Sequence, residues 1–240
     1  MAYDYIGLVN DVNRRLNEVE LTSANFATAT GEYGMIKDAV NSSIRYINQH
    51  EYEWPFNHVT EEDTLTAGIV RYAFPADAKT IDFDSFRIKR NDTLGNDTKK
   101  LKILSYEEYL ENYVDSEYNT STGARAMPDY VFRSPSSEYG FVRNPDKAYD
   151  IVYEYYRLPV DLINSTDVPS IPEQFRYIIV DGAMHYAYLF RGETQEAQVA
   201  QVKYLDEIKS MRSLYVNRYD YIRSTAIQQN SSSISSFRVF

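Results

Sequence analysis

The sequence contains no cysteine, which excludes thiol nucleophiles, zinc-thiolate sites and disulfide bonds. Histidine is scarce: His50, His58 and His185 are the only ones, and none has the spacing of a zinc-binding helix motif. The sequence also lacks a glycine-rich phosphate loop and a nucleophile elbow. We therefore expect no metal site, no cofactor and no enzymatic activity.

Basic residues are outnumbered, because 35 acidic residues against 25 basic ones give a net charge of −10 and a pI near 4.9. This balance argues against a protein that holds nucleic acid by neutralising phosphates, and it allows a surface along which DNA slides without sticking. No apolar run approaches the ~20 residues of a membrane-spanning helix. The first residues also lack the basic and apolar regions of a secretory signal. We expect no membrane association.

Tyrosine is the abundant residue: 23 Tyr, 11 Phe and 1 Trp bring the aromatic fraction to 15%. A tyrosine can pack its ring while its hydroxyl stays hydrated, so many of these side chains are expected at boundaries. They are scattered along the chain rather than concentrated in one set of loops. This distribution favours extended contact surfaces over a single binding pocket.

Both ends of the chain have helical patterns. Apolar residues at helical spacing predict four helices, over residues 5–20, 35–50, 172–191 and 193–217. The first helix is expected to bury Val19 on its apolar face. In the third, the proline suits the first turn and a glycine follows the last residue.

The centre of the chain has the composition of a β structure. Runs rich in β-branched and aromatic residues alternate with turn-forming clusters. The predicted strands are residues 69–74, 80–90, 130–133, 139–143 and 149–156. One helix interrupts them, because Ser105 and Glu108 have the spacing of a capping box before Tyr106.

These patterns predict an α+β fold. N- and C-terminal segments are expected to form a four-helix bundle, with an inserted antiparallel, sandwich-like β-rich domain. The predicted division is 1–53 and 159–226 for the helices, 54–158 for the inserted domain and 227–240 for an extended, flexible C-terminal arm. The arm is mostly polar before its aromatic end, so it buries too little apolar surface to fold alone.

Two segments resemble a known family. Trp54-Pro-Phe-Asn-His, after the N-terminal helices, is similar to the W-x-F-N segment of podophage tail tubular protein A, the head-to-tail adaptor. Ile171-Pro-Glu-Gln-Phe-Arg-Tyr-Ile-Ile-Val-Asp-Gly-Ala is similar to that family's (I/M)-P-E-x-F-R-Y-x-I-V-x-x-A segment. A structural role is expected for the motif residues Trp54, Phe56, Asn57, Pro172, Glu173, Phe175, Arg176 and Tyr177, the first two joining the second helix to the sheet.

The resemblance implies a structural protein in the tail or neck of a bacteriophage virion, made in the host cytoplasm. It implies a dodecameric ring between the portal protein and the tail nozzle protein, which continues the DNA channel and offers its outer side to tail fibres. DNA is expected to pass during ejection without specific binding. The C-terminal arm would dock on the portal, and its candidate contacts are Ser231, Ile234, Phe237, Arg238, Val239 and Phe240.

Two other functions remain open from the residues alone. Tyrosine-rich β segments are also typical of a virion module that binds carbohydrate or a receptor. Asp82 and Asp84, which alternate along one predicted strand, are candidates for the two carboxylates of a glycan hydrolase.

Overall fold

The computed structural model describes residues 2–51, 53–92, 95–119 and 121–215. Within these ranges the fold is α+β, as predicted, with seven α-helices and two four-stranded sheets. The chain divides into two compact units: a helical unit, made of the chain up to Phe56 and from Pro159 onward, and a β unit, Asn57–Leu158. The predicted C-terminal arm and its candidate contacts, from Ser231 to Phe240, lie outside the described residues.

The helices, in chain order, are α1 (Tyr5–Arg15), α2 (Ser23–Phe26), α3 (Glu32–His50), α4 (Tyr106–Asn112), α5 (Val114–Tyr118), α6 (Arg176–Arg191) and α7 (Thr194–Tyr215). The strands are β1 (His58–Leu65), β2 (Arg71–Ala73), β3 (Ala78–Asp92), β4 (Gly95–Lys100), β5 (Lys102–Leu104), β6 (Tyr130–Ser134), β7 (Glu138–Val142) and β8 (Tyr149–Arg157). Every helix in the described part of the chain is too short or too polar to cross a lipid bilayer.

The first helix ends earlier than predicted, at Arg15 instead of near residue 20. Asn17 adopts a left-handed φ of 59°, and its N–H returns to the carbonyl of Arg14, which closes the helix. The prediction that Val19 lies on the apolar face is wrong, since this residue is 75% exposed. The apolar residues of α1 that have no exposed surface are Leu8, Val9 and Val12.

The other helix signals agree with the structure. Ser105 accepts a hydrogen bond from the backbone N–H of Glu108, at 3.2 Å, and α4 begins at the next residue. Pro172 precedes a single 3-10 turn that leads into α6. Gly192 ends α6 with a left-handed φ of 79°, the conformation that glycine adopts without a steric cost.

The long helices of the helical unit share one core. Helix α6 packs against α1, α3 and α7. At its middle, Gly182 allows the helices to approach closely, because a Cβ there would lie 2.3 Å from Ser43 Oγ on α3 and 2.6 Å from the Tyr204 ring on α7. The Tyr204 hydroxyl also donates to the carbonyl of Ser43, at 2.8 Å.

The β unit contains two sheets, with strand orders β1-β8-β3-β4 and β2-β7-β6-β5. Its strand pairs are antiparallel except β5 with β6, which are parallel. The chain passes from the first sheet to the second through Leu101, a single buried residue between β4 and β5. Both sheets contribute side chains to one core.

Strand β3 changes its inward positions along its length. Ile81 and Phe83 point inward at its start, but Phe86 and Ile88 are the buried residues farther along. The pairing of β3 with β8 shifts register between these two parts, which is the effect of a β-bulge.

Candidate functional site

The two sequence motifs meet in the helical unit through four aromatic rings, which we call the aromatic junction. Trp54 is fully buried and stacks on Phe56, with ring centroids 5.4 Å apart. Phe56 and Phe175 each meet Tyr215 edge-on, at 6.3 Å and 5.4 Å. Segments more than a hundred residues apart in sequence are joined in this way.

Hydrogen bonds fix the geometry of the aromatic junction. Trp54 Nε1 donates to the carbonyl of Ile47 at 2.8 Å, near the end of α3, where carbonyls need partners from outside the helix. Gln174 Nε2 donates to the hydroxyl oxygen of Tyr215 at 2.9 Å. Tyr215 is the last residue of α7 that the structure describes, so the aromatic junction joins this part of α7 to both motifs.

Arg176, from the second motif, fastens the N-terminal segment to α6. Its Nε donates to Asp11 Oδ2 at 2.6 Å, and its terminal nitrogens donate to the carbonyls of Ala2 and Gly7 at 3.0 Å and 3.2 Å. Since these partners lie at the start of the chain, one side chain ties α1 to the beginning of α6.

The remaining motif residues lie nearby, with one exception. Pro172 and Glu173 form the entry to α6, and Tyr177 in its first turn is 44% exposed. Asn57 is buried and belongs to the β unit. The structure therefore brings the motif residues together in the helical unit, apart from Asn57.

Tyr215 was not predicted as a site residue. It does carry a sequence signal, because it continues the apolar stripe of α7 at helical spacing after Tyr204, Ile208 and Met211. The stripe shows that the ring faces the core. It does not show that the ring meets Phe56 and Phe175, since those contacts depend on the tertiary fold.

A second group of side chains, which we call the buried charge cluster, joins α1, α6 and α7. Asp181 on α6 has a side chain only 6% exposed, and it pairs with Arg15 on α1 and with Lys203 on α7, the latter at 2.8 Å. Glu207, one turn beyond Lys203, lies 3.6 Å from the Lys203 ammonium. Two carboxylates and two cations thus cross-link three helices.

The two carboxyl groups of the buried charge cluster titrate in opposite directions. Burial raises the pKa of Asp181, but hydrogen bonds from Lys203 and Arg15 outweigh it and hold that pKa below its usual value. Burial, followed by the nearby charge of Asp181, raises the pKa of Glu207 to about 7. Near neutral pH, Asp181 is therefore ionised while Glu207 holds a proton about half of the time.

We expect Glu207→Gln to raise the free energy of unfolding by ~1–2 kcal/mol at about pH 8 and by much less at about pH 5. The pKa of Glu207 rises from 4.5 to about 7 on folding, so the folded protein binds the extra proton between these values. The free energy of unfolding therefore decreases as the pH rises through this interval, and it stops decreasing from this cause above about pH 7. Glutamine carries no charge to bury. Urea unfolding at the two pH values measures the difference.

Glu196→Gln is the matched control, because this glutamate is exposed on the same helix. It should change the unfolding free energy by a small and equal amount at both pH values. If Glu207→Gln were no more stable than the unmodified protein at about pH 8, the raised pKa of Glu207, and with it the cost of burying its charge beside Asp181, would be refuted.

Of the eleven tyrosines of the β unit, five are buried in its cores, five are partly buried and one is exposed, so fewer rings face solvent than extended contact surfaces would require. Among the described residues, Tyr118 and Tyr177 are the exposed tyrosines. Several buried rings direct their hydroxyls to carboxylates at the boundary, and these pairs are Tyr139 with Asp63 (3.1 Å), Tyr149 with Asp146 (2.7 Å) and Tyr155 with Asp77 (3.0 Å). Burial, followed by these carboxylates, raises the pKa of Tyr149 and of Tyr155 to about 12.

Asp82 and Asp84 lie on the solvent-facing side of β3, as the alternation predicted. Asp82 Oδ1 accepts a hydrogen bond from the backbone N–H of Asp84 at 2.9 Å, and Asp84 pairs with Lys100 at 3.3 Å. The Asp84 side chain is 72% exposed. This is the arrangement of a hydrated strand face, whereas a glycan hydrolase holds its two carboxyl groups on either side of a bound sugar.

Comparison with known proteins gives one match to a family model. The model described as SU10 adaptor protein matches residues 3–229, a region that contains the aromatic junction, the buried charge cluster and both sequence motifs. No curated protein matches the chain. Because the match covers nearly the whole length, the chain belongs to the SU10 adaptor protein family, a family of phage head-tail adaptors.

Proposed function

We propose that this phage structural adaptor assembles as a ring between the portal protein and the tail nozzle protein, where it continues the DNA channel. The observation that carries the proposal is the family match over residues 3–229. The two motifs that resemble podophage tail tubular protein A support a similar position in the virion, with about twelve copies in the ring and tail fibres on its outer side. The net charge of −10 supports passage of DNA, since like charges repel.

We further propose that α1, α3, α6 and α7 act as a four-helix bundle, with residues 54–158 as the inserted domain. The packing of α6 against the other three helices supports this view. The buried charge cluster supports it as well, because its ion pairs connect helices from both ends of the sequence. A rigid helical unit suits an adaptor that must present the same surfaces in every copy of a ring.

Residues 227–240 are proposed to be the arm that docks on the portal, through Ser231, Ile234 and the Phe237-Arg-Val-Phe240 end. The aromatic junction supports this role because it holds Tyr215, the last described residue before the arm, against both sequence motifs. Fully extended, the proposed arm of residues 227–240 would reach up to about 45 Å, which is far enough to contact another subunit. The family match ends at residue 229, so this role rests on the chain itself.

Deleting residues 231–240 is expected to leave the thermal melting temperature unchanged while weakening portal binding. The segment has one apolar residue, Ile234, before its last four residues, and so it has little apolar surface to pack within one subunit. Differential scanning fluorimetry measures the first effect, and sedimentation with purified portal rings measures the second. Replacing only Phe237 and Phe240 by serine should reproduce most of the binding loss. Normal portal binding by the truncated protein would refute the arm.

The ring itself is tested by solution mass and negative-stain microscopy, with the protein alone and mixed with portal rings. We expect particles in which an added ring caps the portal. A protein that stays monomeric and never caps portal rings under either condition would overturn the proposed function. The alternative, a virion module that binds carbohydrate through tyrosine-rich β surfaces, is less favoured, since four of the seven tyrosines in the β strands are buried.

A further inference from the structure

A group of cations surrounds one cavity of the β unit, which we call the basic cavity. Lys99, Lys100, Lys102 and Arg143 line a volume of about 460 Å³, and within the described residues Asp129 is the one carboxylate of its lining. The size lies in the range of natural ligand sites, about 300–1,000 Å³. Four cations against one carboxylate stand out in a protein whose net charge is −10.

The fold itself brings these cations together. Leu101 is buried where the chain crosses between the sheets, so the lysines on either side of it are directed outward. Lys102 on β5 lies opposite Tyr130 on β6, which pairs in turn with Val142 on β7. Arg143 follows immediately and reaches the same cavity.

The charges of the basic cavity are only partly compensated. Asp129 pairs with both Lys99 and Arg143, the latter at 2.9 Å, so that one carboxylate serves two cations. Lys100 pairs with Asp84 at 3.3 Å, but both side chains are largely exposed. The Lys102 ammonium lies 6.0 Å from the centre of the Tyr130 ring, and no ion pair joins it to a carboxylate in the described part of the chain. A positive excess therefore remains at the opening.

The backbone at Arg143 is strained in a way that favours a role for its side chain. Its φ is 24°, in a region that a residue with a Cβ seldom occupies. Such conformations cost free energy and are found preferentially at binding sites. Asp129 holds the guanidinium of Arg143 through an ion pair. The backbone N–H of Asp129 in turn donates to the carbonyl of Val142 at 3.0 Å.

We propose that the basic cavity binds an acidic peptide segment of another virion protein. Lys102 and Arg143 would take carboxylates of that segment through charge-assisted hydrogen bonds, and Tyr113 and Tyr130 would supply apolar walls for its side-chain stems. This inference rests on the proposed function, since a structural adaptor acts by contacting other proteins of the particle.

The observations favour a peptide over other polyanions. A nucleic acid binds by neutralising many phosphates along its length, whereas this cavity offers four cations on a protein whose net charge is −10. An acidic peptide can carry two or three carboxylates that fit the cavity and neutral residues elsewhere. An acidic glycan would use the same cations, so the experiment includes one.

The test uses the full chain and fluorescence anisotropy of a labelled octaglutamate peptide at about 50 mM and about 200 mM salt. We expect the peptide to bind, and its affinity to fall as the salt concentration rises. Lys102→Glu should lower the affinity by about tenfold or more, because at least one charge-assisted hydrogen bond is lost. Lys209→Glu is the matched control, because this lysine is 70% exposed on α7 in the other unit. It should change the affinity by less than about twofold.

Arg143→Gly separates binding from folding. Glycine tolerates the left-handed backbone, so the melting temperature should stay the same or rise while peptide affinity falls. Three results would overturn the proposal: no octaglutamate binding at low salt, equal losses in Lys102→Glu and Lys209→Glu, or tighter binding of octathymidylate or a heparin octasaccharide than of the peptide.

Portal capping is scored in the same preparations to separate this inference from the proposed function. Capped portal rings without octaglutamate binding would reject the basic cavity alone. If octaglutamate binding depended on Lys102 but no portal rings were capped, the proposed position in the virion would be rejected. The proposed binding of an acidic peptide in the basic cavity would then still be supported.

Discussion

Replacing Trp54 by alanine is expected to lower the free energy of unfolding by ~3–5 kcal/mol, the usual cost of removing a large buried ring. Trp54 is fully buried, stacks on Phe56 and donates to the carbonyl of Ile47. Its loss leaves a cavity and an unpaired carbonyl at the end of α3, and it takes away the support of the ring that contacts Tyr215. Urea unfolding followed by circular dichroism measures the change.

Trp54→Phe is the control for this prediction. Phenylalanine keeps most of the ring stacking but cannot donate to Ile47, so its cost should be clearly smaller than that of alanine. If Trp54→Ala lost less than ~1 kcal/mol, the aromatic junction would not be a stabilising centre of the helical unit. If both variants lost ~3–5 kcal/mol, the hydrogen bond to Ile47 rather than the packing of the ring would account for the destabilisation.

Gly182→Ala is expected to destabilise the protein by ~2 kcal/mol. The new Cβ would lie 2.3 Å from Ser43 Oγ and 2.6 Å from the ring of Tyr204, so α3 and α7 must both move. Overpacking of this kind costs ~3 kcal/mol or somewhat more, and the better helix propensity of alanine returns ~1 kcal/mol. Thermal and urea unfolding measure the net effect.

Gly34→Ala makes the same chemical change in α3 without the clash. A Cβ at Gly34 would meet no atom closer than the carbonyl oxygen of Ala29, at 3.9 Å. This variant should therefore gain ~0.5–1 kcal/mol from helix propensity alone. Two substitutions of one type with opposite signs would identify Gly182 as the close contact of three helices; a gain in both would contradict it.

Five of the seven helices, α1, α3, α4, α6 and α7, were predictable because their apolar residues follow one period or their ends carry local signals, whereas the short helices α2 and α5 were not predicted. Gly192 and Ser105 take the roles that their residue types favour, and neither role requires knowledge of the rest of the fold. The end of α1 was missed because no local sequence signal marks it. Asn17 stops the helix by adopting a left-handed conformation, which its neighbours in sequence do not indicate.

Strands β1, β4 and β5 were missed, and all three lie at the edges of their sheets. In β1 only Leu65 is fully buried, and the sequence of β4, Gly-Asn-Asp-Thr-Lys-Lys, has the composition of a turn. An edge strand needs few apolar residues, since one side chain row faces solvent and one backbone edge is unpaired. Periodicity alone could not distinguish such strands from loops.

The candidate sites show the same division between local and tertiary information. Sequence motifs identified Phe56, Phe175 and Arg176, but their contacts with Tyr215 and Asp11 follow from the packing of helices. The basic cavity had a visible part in the sequence, Lys99-Lys-Leu-Lys102. Its fourth cation comes from the end of β7, and only the pairing of β5, β6 and β7 brings it there.

The crossing at Leu101 gives the β unit a mechanical property. The backbone itself connects β4 of one sheet to β5 of the other, so a force along β4 enters the second sheet through covalent bonds. If the sheets slid past each other, side-chain contacts between them would have to change. The backbone hydrogen bonds between β3 and β4, or those between β5 and β6, would also have to break. A load that reaches either sheet is thus carried by both.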